Sequence, residues 1–498
     1  MENEQEKYDL IIIGGGIAAT WLSLNILQKS PEFTILIVEK CAEFPQKVGE
    51  SLVDMTALLV KSLDIHELLE KQRIKTGIRF LFNESNSVDR AKMAEFASPN
   101  TSGRLRAYHL DRKVFDQQLL EKVEEMGATV YRPAEITNSS FETFNNQLTL
   151  TVNEKTKKVA SRWLADASGR SRFIAQRLKW KMQPTTLNTG AIMAHLENVE
   201  PAEKWDTPHA ENWERYSVGS RAYSTTHLMR KNCWWWIIRL NEKKTSVGVV
   251  FDKNAIQFDD AQTFFRDQLK EDPQLAAITK NATLGEIREV EKVPYLTEKL
   301  YTEGVALVGD SGFFLDPLIS PGLELLAQQA IYLSDLLTTE KRKGQFDSAA
   351  WKKYQATFFK AYTSREKIYQ GVYPIIHSFD LMSCWLKQAN FIYFGRLVFP
   401  AIACKKKRKI PLQLNLFERM MNRYFTRRFH KISQRRIRQG RISESIPNKI
   451  CYSKVEIPKG GRFVFIPVRL LFLAIGAYLK LELKEMKYLF KKTDKTSR

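Results

Sequence analysis

The sequence predicts an α/β fold: a doubly wound parallel sheet, interrupted by an inserted antiparallel β-sheet and followed by a helical, basic C-terminal region. Three observations lead there. The isoleucine-rich run Tyr8–Ile13 ends in Gly14-Gly15-Gly16 and passes into a helical pattern over Ile17–Gln28, the strand–turn–helix opening of such a sheet. Residues 186–300 alternate apolar and polar as antiparallel strands do. A buried strand pattern then returns at Gly304–Asp310 and leads through a turn at Gly322 into a long helix reaching Leu337. With 498 residues, 44% of them apolar, the chain is long enough for more than one core. The division this predicts gives 1–185 and 301–345 to the doubly wound domain, 186–300 to the inserted sheet and 346–498 to the C-terminal region.

The remaining elements follow in order. Phe33–Val38 reads as a second buried strand, ending at Glu39. Glu50–Glu70 carries Leu52, Leu58, Leu59, Leu63, Leu68 and Leu69 as the apolar set of one helix. Ile78–Phe82 begins a strand, Asp111–Met126 reads as a helix and Trp163–Ala167 as a return strand. Trp234–Leu240 and Thr245–Phe251 read as a hairpin pair. The five cysteines are scattered without a C-x-x-C pair, so neither a disulfide framework nor a metal site is expected. Met1–Lys7 is polar and acidic, unlike a secretory signal. No uncharged apolar run of about 18 residues occurs; Phe463–Leu483 comes nearest and is broken by Pro467, Arg469, Lys480 and Glu482. A cytoplasmic protein is expected.

The glycine turn carries chemistry. Gly14 to Ala19 fits G-x-G-x-x-G/A. Gly14 permits the tight turn, Gly16 lets a pyrophosphate approach the backbone, and Ala19 keeps helix and strand close. The free N–H groups of the following helix attract phosphate. Glu39 stands 23 residues beyond Gly16, where an acid accepts ribose hydroxyls. These features point to a dinucleotide and leave open which one.

Four further motifs choose. Lys47-Val48-Gly49-Glu50-Ser51-Leu52, Leu110-Asp111-Arg112 with Phe115-Asp116, Asp166-Ala167-Ser168-Gly169-Arg170 and Gly309-Asp310-Ser311 occur in this order. They resemble the G-E-S-L, R-x-x-F-D, D-A-S-G-R and G-D segments of flavin-dependent halogenases and of related flavin hydroxylases and reductases. Trp234-Trp235-Trp236-Ile237-Ile238-Arg239 resembles the halogenase W-x-W-x-I-P, and Phe314, Pro317, Ser320 and Gly322 fit its F-x-x-P-x-x-S-x-G. The resemblance implies a Rossmann-like FAD-binding domain, with FAD held by Gly14, Gly16, Ile17, Ala18, Ala19, Glu39, Lys40, Gly49, Glu50, Arg112, Asp166, Gly169, Asp310, Gly322 and Leu323. It implies Lys75 as the catalytic lysine, and Trp234, Trp236, Phe314, Pro317 and Ser320 along the path between flavin and substrate. Without the resemblance Lys75 reads as an exposed lysine before a strand, and the tryptophans as sheet core.

In that family reduced FAD and oxygen turn halide into hypohalous acid, which a lysine ammonium holds against an electron-rich ring. No second dinucleotide loop occurs in the chain, so reduced FAD is expected from a separate flavin reductase. Three departures bear on the reaction. Arg239 replaces the motif's proline, Pro321 removes a backbone N–H beside the expected halide site, and Ile319 stands where tryptophan-specific members carry a glutamate. The substrate implied is therefore a phenol or pyrrole, free or linked to an acyl-carrier protein or lipid. A flavin hydroxylase, a prenyl-chain reductase and a catalytically silent flavin-binding, membrane-associated protein are the competing readings.

The net charge is +21, and Lys405–Arg441 holds 14 basic residues against one acid, Glu418. Leu416, Phe417, Met420, Met421, Tyr424, Phe425, Phe429 and Ile432 fall at helical spacing within it. The tract reads either as a helix packed on the protein body or as a dock for an anionic surface: membrane headgroups or an acidic carrier protein. Nucleic acid is disfavoured, since no recognition motif accompanies the charge.

Overall fold

The computed structural model describes residues 5–83, 93–99, 106–201, 213, 217, 219–398, 416–442, 449–453 and 466–496. The chain divides into two units: Met1–Gln72, Leu110–Thr186 and Val293–Glu366 form the first, and Arg73–His109, Leu187–Lys292 and Lys367–Arg498 the second.

The first unit is built on parallel strands. Glu6–Ile13 lies between Ile35–Val38 and Lys155–Asp166, and Lys155–Asp166 is followed by Val305–Leu307. Their inner stretches, Leu10–Ile13, Ile35–Val38, Trp163–Ala165 and Val305–Leu307, are buried apolar runs rather than alternating ones, as in strands covered on both faces. Ile13 is in register with Val38 and Asp166, and Asp166 with Leu307, so the strands end level. The expected single helix over Glu50–Glu70 is instead broken. Helix Asp54–Val60 runs into a tight turn at Lys61–Leu63 that ends on Asp64 at φ +54°, and His66–Glu70 starts afresh. Aspartate visits this left-handed conformation at low cost, so leucine spacing alone concealed the stop.

The second unit is built on a nine-stranded, mainly antiparallel sheet. Gly77–Phe82 joins it because it pairs in parallel with Thr225–Arg230 and antiparallel with Ala94–Pro99. The expected hairpin is present as Cys233–Arg239 and Lys244–Asp252. Alternation sorts the side chains onto two faces. Leu81, Leu228, Trp235, Val247, Val249 and Phe251 pack with Phe265, Leu269, Leu275 and Ile278 from helices Ala261–Glu271 and Pro273–Thr279. Phe80, Phe82, His227, Trp234 and Trp236 take the opposite face.

Among the described residues, the C-terminal part of this unit includes the helices Phe379–Ile392, Leu416–Arg438 and Ile466–Thr496. Phe379 packs edge-on against Phe82, with ring centroids 5.4 Å apart. Arg436 is fully buried and donates to Asp380 and Glu485, each at 2.7 Å, tying the three helices together. The basic helix is thus packed on one side, through Phe425, Phe429 and Ile432, and exposed on the other, at Met420 and Tyr424. The Lys405–Lys409 cluster lies outside the described residues. Among the described residues, no helix is long and apolar enough to cross a membrane.

Candidate active site

The level strand ends of the first unit gather the glycine turn and its partners. Gly14 adopts φ +97°, and a Cβ there would stand 2.6 Å from the Ala167 carbonyl oxygen, so only glycine serves. Gly15 donates its N–H to Glu39 Oε2 at 2.7 Å, and Cys41 donates to Glu39 Oε1 at 2.8 Å. The helix Ile17–Leu27 starts at Gly16 with no side-chain cap, leaving its first N–H groups for an anion. Ile17 and Ala19 are buried behind the turn, Lys40 is exposed, and Ala18 borders Gly309.

Arg112 pairs with Asp116 at 2.7 and 2.9 Å and donates to the carbonyls of Val48 and Gly49 at 3.0 and 3.3 Å. Gly49, at φ +89°, has no Cβ to meet that guanidinium, which would lie 2.8 Å away. Glu50 is buried and accepts the Leu110 N–H through its carbonyl at 2.8 Å. Asp166 is engaged within its own loop. It accepts from the Ser168 N–H at 3.0 Å, the Ser168 hydroxyl at 2.6 Å and the Ile174 N–H at 2.8 Å, and Gly169 turns that loop at φ +66°. Burial pushes the Asp310 carboxyl up, against the pull of Arg170 and Arg112. Sequence reasoning passed over Lys47 as a site residue. Its ammonium lies 3.6 Å from where a Gly16 Cβ would stand, and burial lowers its pKa while Asp116 opposes the shift. A cation beside an uncapped helix start and a glycine cradle fits the pyrophosphate of FAD.

The second motif turn lies in the same unit. Phe313–Phe314 pairs with Tyr295–Leu296, and Arg170 sits 5.2 Å over the Phe314 ring. Pro317 opens a short turn that ends on Ser320 at φ +52°. Pro321 is the residue before the helix Gly322–Lys343, again without a side-chain cap. Proline contributes no N–H, so Gly322 and Leu323 offer the first donors. Among the described residues, no atom stands within 4 Å of a Gly322 Cβ position beyond its chain neighbours and its own helix backbone.

In the second unit Lys75 is 2% exposed, on the strand Arg73–Lys75 opposite Ala107; it is not the surface lysine its sequence position allowed. Its charge reaches two buried imidazoles. His109 contacts the Arg239 carbonyl at 3.1 Å and the Thr225 hydroxyl at 2.9 Å. His227 contacts the Arg79 carbonyl at 3.2 Å and stacks on Phe80 at 4.6 Å. Burial and then the Lys75 charge push both pKa values down to about 3. Below about pH 6.5 the unfolded chain therefore takes up protons that the folded rings refuse until about pH 3. Folding stability is expected to fall as pH drops through that window. Denaturant midpoints across it should flatten by about one proton in His109→Gln; an unchanged slope would show His109 is not the ring responsible.

Trp236 donates to Ser246 Oγ at 3.0 Å, and Trp234 donates to Tyr373 Oη at 3.2 Å. Tyr373 comes from the C-terminal region and had no sequence signal. The Trp236 ring lies across Gly248, where a Cβ would meet its Cζ2 at 2.2 Å. Gly248→Ala is expected to displace that ring and cost about 1–3 kcal/mol; denaturant unfolding would measure it, and a loss near zero would contradict this packing.

Known proteins resemble this chain in sequence and in fold. A family model described as tryptophan halogenase matches residues 9–87 and 82–373. The 1H-pyrrole-2-carbonyl-(peptidyl-carrier protein) chlorinase of Pseudomonas fluorescens is 24% identical over 374 residues, covering 70% of this chain and 79% of its own. The corresponding brominase of Pseudoalteromonas luteoviolacea is 24% identical over 428 residues, covering 80% and 94%. Flavin-dependent halogenase armH1 of Armillaria mellea is 25% identical over 404 residues, covering 76% and 73%. Halogenase PltM, solved with phloroglucinol and FAD, superposes with a TM-score of 0.76 over 95% of this chain and 96% of its own, at 18% identity, a likeness of fold. The chain belongs to the tryptophan halogenase family of flavin-dependent halogenases, and it is an FAD-dependent oxidoreductase.

Proposed function

We propose that this protein halogenates an electron-rich aromatic, a phenol or a pyrrole, with reduced FAD delivered by a separate flavin reductase. The observation that carries the reading is the buried Lys75, placed with Trp234 and Trp236 in the sheet unit. FAD, when bound, supplies the chemistry that makes hypohalous acid from oxygen and halide. Gly14, Gly16, Glu39 and Lys47 would hold it, and the N–H groups of Gly322 and Leu323 are the donors for halide. The Lys75 ammonium then hydrogen-bonds the oxidant and fixes it against the ring, while the tryptophans exclude water. Ile319, in place of an acid, favours a ring activated by its own heteroatom. Relatives named for carrier-bound pyrrole support a carrier-linked substrate, and the phloroglucinol complex of PltM supports a phenol.

Pro321 favours a second reading, direct hydroxylation without halide. A reaction with FAD, a flavin reductase, NADH, oxygen, bromide and a panel of phenols and pyrroles separates the outcomes. Brominated product is expected. Oxygenated product alone indicates a hydroxylase, two added hydrogens a prenyl-type reductase, and bound FAD without turnover a silent flavoprotein.

We further infer a cytoplasmic protein that touches anionic membrane through its C-terminal helices. Phe472, Leu479, Leu483 and Met486 are exposed along one stripe of Ile466–Thr496, as are Met420 and Tyr424 on Leu416–Arg438. Exposed Arg423, Arg427, Lys480 and Lys487 flank them, the pattern of a helix lying in the headgroup region. Arg428, paired with Glu482 at 2.5 Å, and buried Arg436 belong to the fold instead. The full-length protein is expected to pellet with anionic vesicles at low salt and less at high salt, and Phe472→Glu should weaken this; no pelleting in either condition overturns it.

A further inference from the structure

One buried group in the sheet unit has no role in the reading above. His227 stands on the sheet face shared by Trp234 and Trp236, with its ring faces taken by Phe80, stacked at 4.6 Å and 11°, and Trp234, tilted at 5.2 Å. Its Nδ1 lies 3.2 Å from the Arg79 carbonyl oxygen. A carbonyl only accepts, so Nδ1 carries the proton and Nε2 carries a lone pair. His109 holds the same tautomer against the Arg239 carbonyl, but its Nε2 is already bonded to the Thr225 hydroxyl at 2.9 Å. Among the described residues, the Nε2 of His227 has no such partner. Nε2 lies at the end of the ring away from the histidine's own backbone. The indole N–H groups beside it are engaged with Tyr373 and Ser246.

We infer that Nε2 of His227 accepts a hydrogen bond from the ring O–H or N–H of the substrate, so that the site selects phenols and pyrroles over their O- or N-alkylated counterparts. This rests on the halogenating reading and names what that site binds. Lys75 cannot serve the same end, because an ammonium donates and has no lone pair. The histidine acts by hydrogen bond and not by taking the proton. Burial and the Lys75 charge leave its pKa at about 3, far below the roughly 10 of a phenol. A held O–H or N–H is polarised, which raises electron density at the ring carbons that meet the electrophile, and it fixes which carbon faces the oxidant.

The test compares phloroglucinol with its trimethyl ether on the reductase-coupled enzyme with bromide. A soluble 1,3-diketone, which traps hypohalous acid without a ring donor, serves as the control. Wild type is expected to brominate phloroglucinol at least about 10-fold faster per unit concentration than the ether. His227→Phe should lose about 10- to 100-fold on phloroglucinol, change little on the ether and leave diketone bromination intact; His227→Gln, which keeps an acceptor, should recover part of the loss. In ¹⁵N NMR of the histidine-labelled protein, phloroglucinol should shift the His227 Nε2 resonance and the ether should not. An unchanged phenol-to-ether ratio in His227→Phe, or a protonated Nε2 in the free protein, overturns the inference and leaves the halogenating reading standing. A wild type that brominates neither diketone nor phenol sinks that reading, and the inference with it. Equal losses on both ring substrates and the diketone would mean a merely structural histidine.

Discussion

Lys75→Met is expected to cut halogenated product by about 100- to 1,000-fold, the usual effect of removing one preorganised donor from a reacting group. FAD binding should be unchanged, because the residues assigned to hold it are Gly14, Gly16, Glu39 and Lys47 and not Lys75. Methionine matches the length of the lysine stem, so a residue that is 2% exposed is replaced without opening a cavity. Removing the cation should also let the His109 and His227 pKa values rise, since its charge holds both down after burial. Product yield under saturating bromide, FAD titration and imidazole NMR measure the three effects separately. A yield within twofold of wild type would remove Lys75 from the chemistry.

Glu95→Ala is expected to destabilise the sheet unit strongly. The Glu95 carboxylate, fully buried, accepts from Arg79 at 2.9 and 3.4 Å and from Arg221 at 2.6 Å. Both arginines are buried as well. Deleting the anion that the two guanidinium groups share removes a buried charge partner from each, and breaking a buried pair costs about 3–5 kcal/mol. Glu95→Gln keeps acceptor oxygen but not charge and should cost less. Denaturant unfolding measures both; a loss below about 1 kcal/mol for the alanine variant would show that the arginines are stabilised by other groups.

What was readable in the sequence is what local physics determines. The turn at Gly14 needs positive φ, a close approach and a following helix start, all within a few residues. The Cys233–Arg239 and Lys244–Asp252 hairpin likewise follows from alternation over a short span. The family resemblance added Lys75 but not its surroundings. Tyr373 meets Trp234 across 139 residues and Glu95 meets Arg221 across 126, separations over which spacing carries no information. Nor did the R-x-x-F-D resemblance show that Arg112 spends its guanidinium on Asp116 and on the Gly49 loop, or that Asp166 caps its own turn. The break at Asp64 was hidden for a smaller reason, one residue in a left-handed conformation inside an otherwise helical leucine pattern.

The most direct test of halogenation is a single turnover: enzyme loaded with chemically reduced FAD, mixed with oxygen, bromide and phloroglucinol, with no reductase present, and the product read by mass spectrometry. A bromine isotope doublet that grows with bromide and disappears in Lys75→Met is the predicted result. Oxygenated phloroglucinol alone at saturating bromide, or bromination that survives Lys75→Met, would contradict the account.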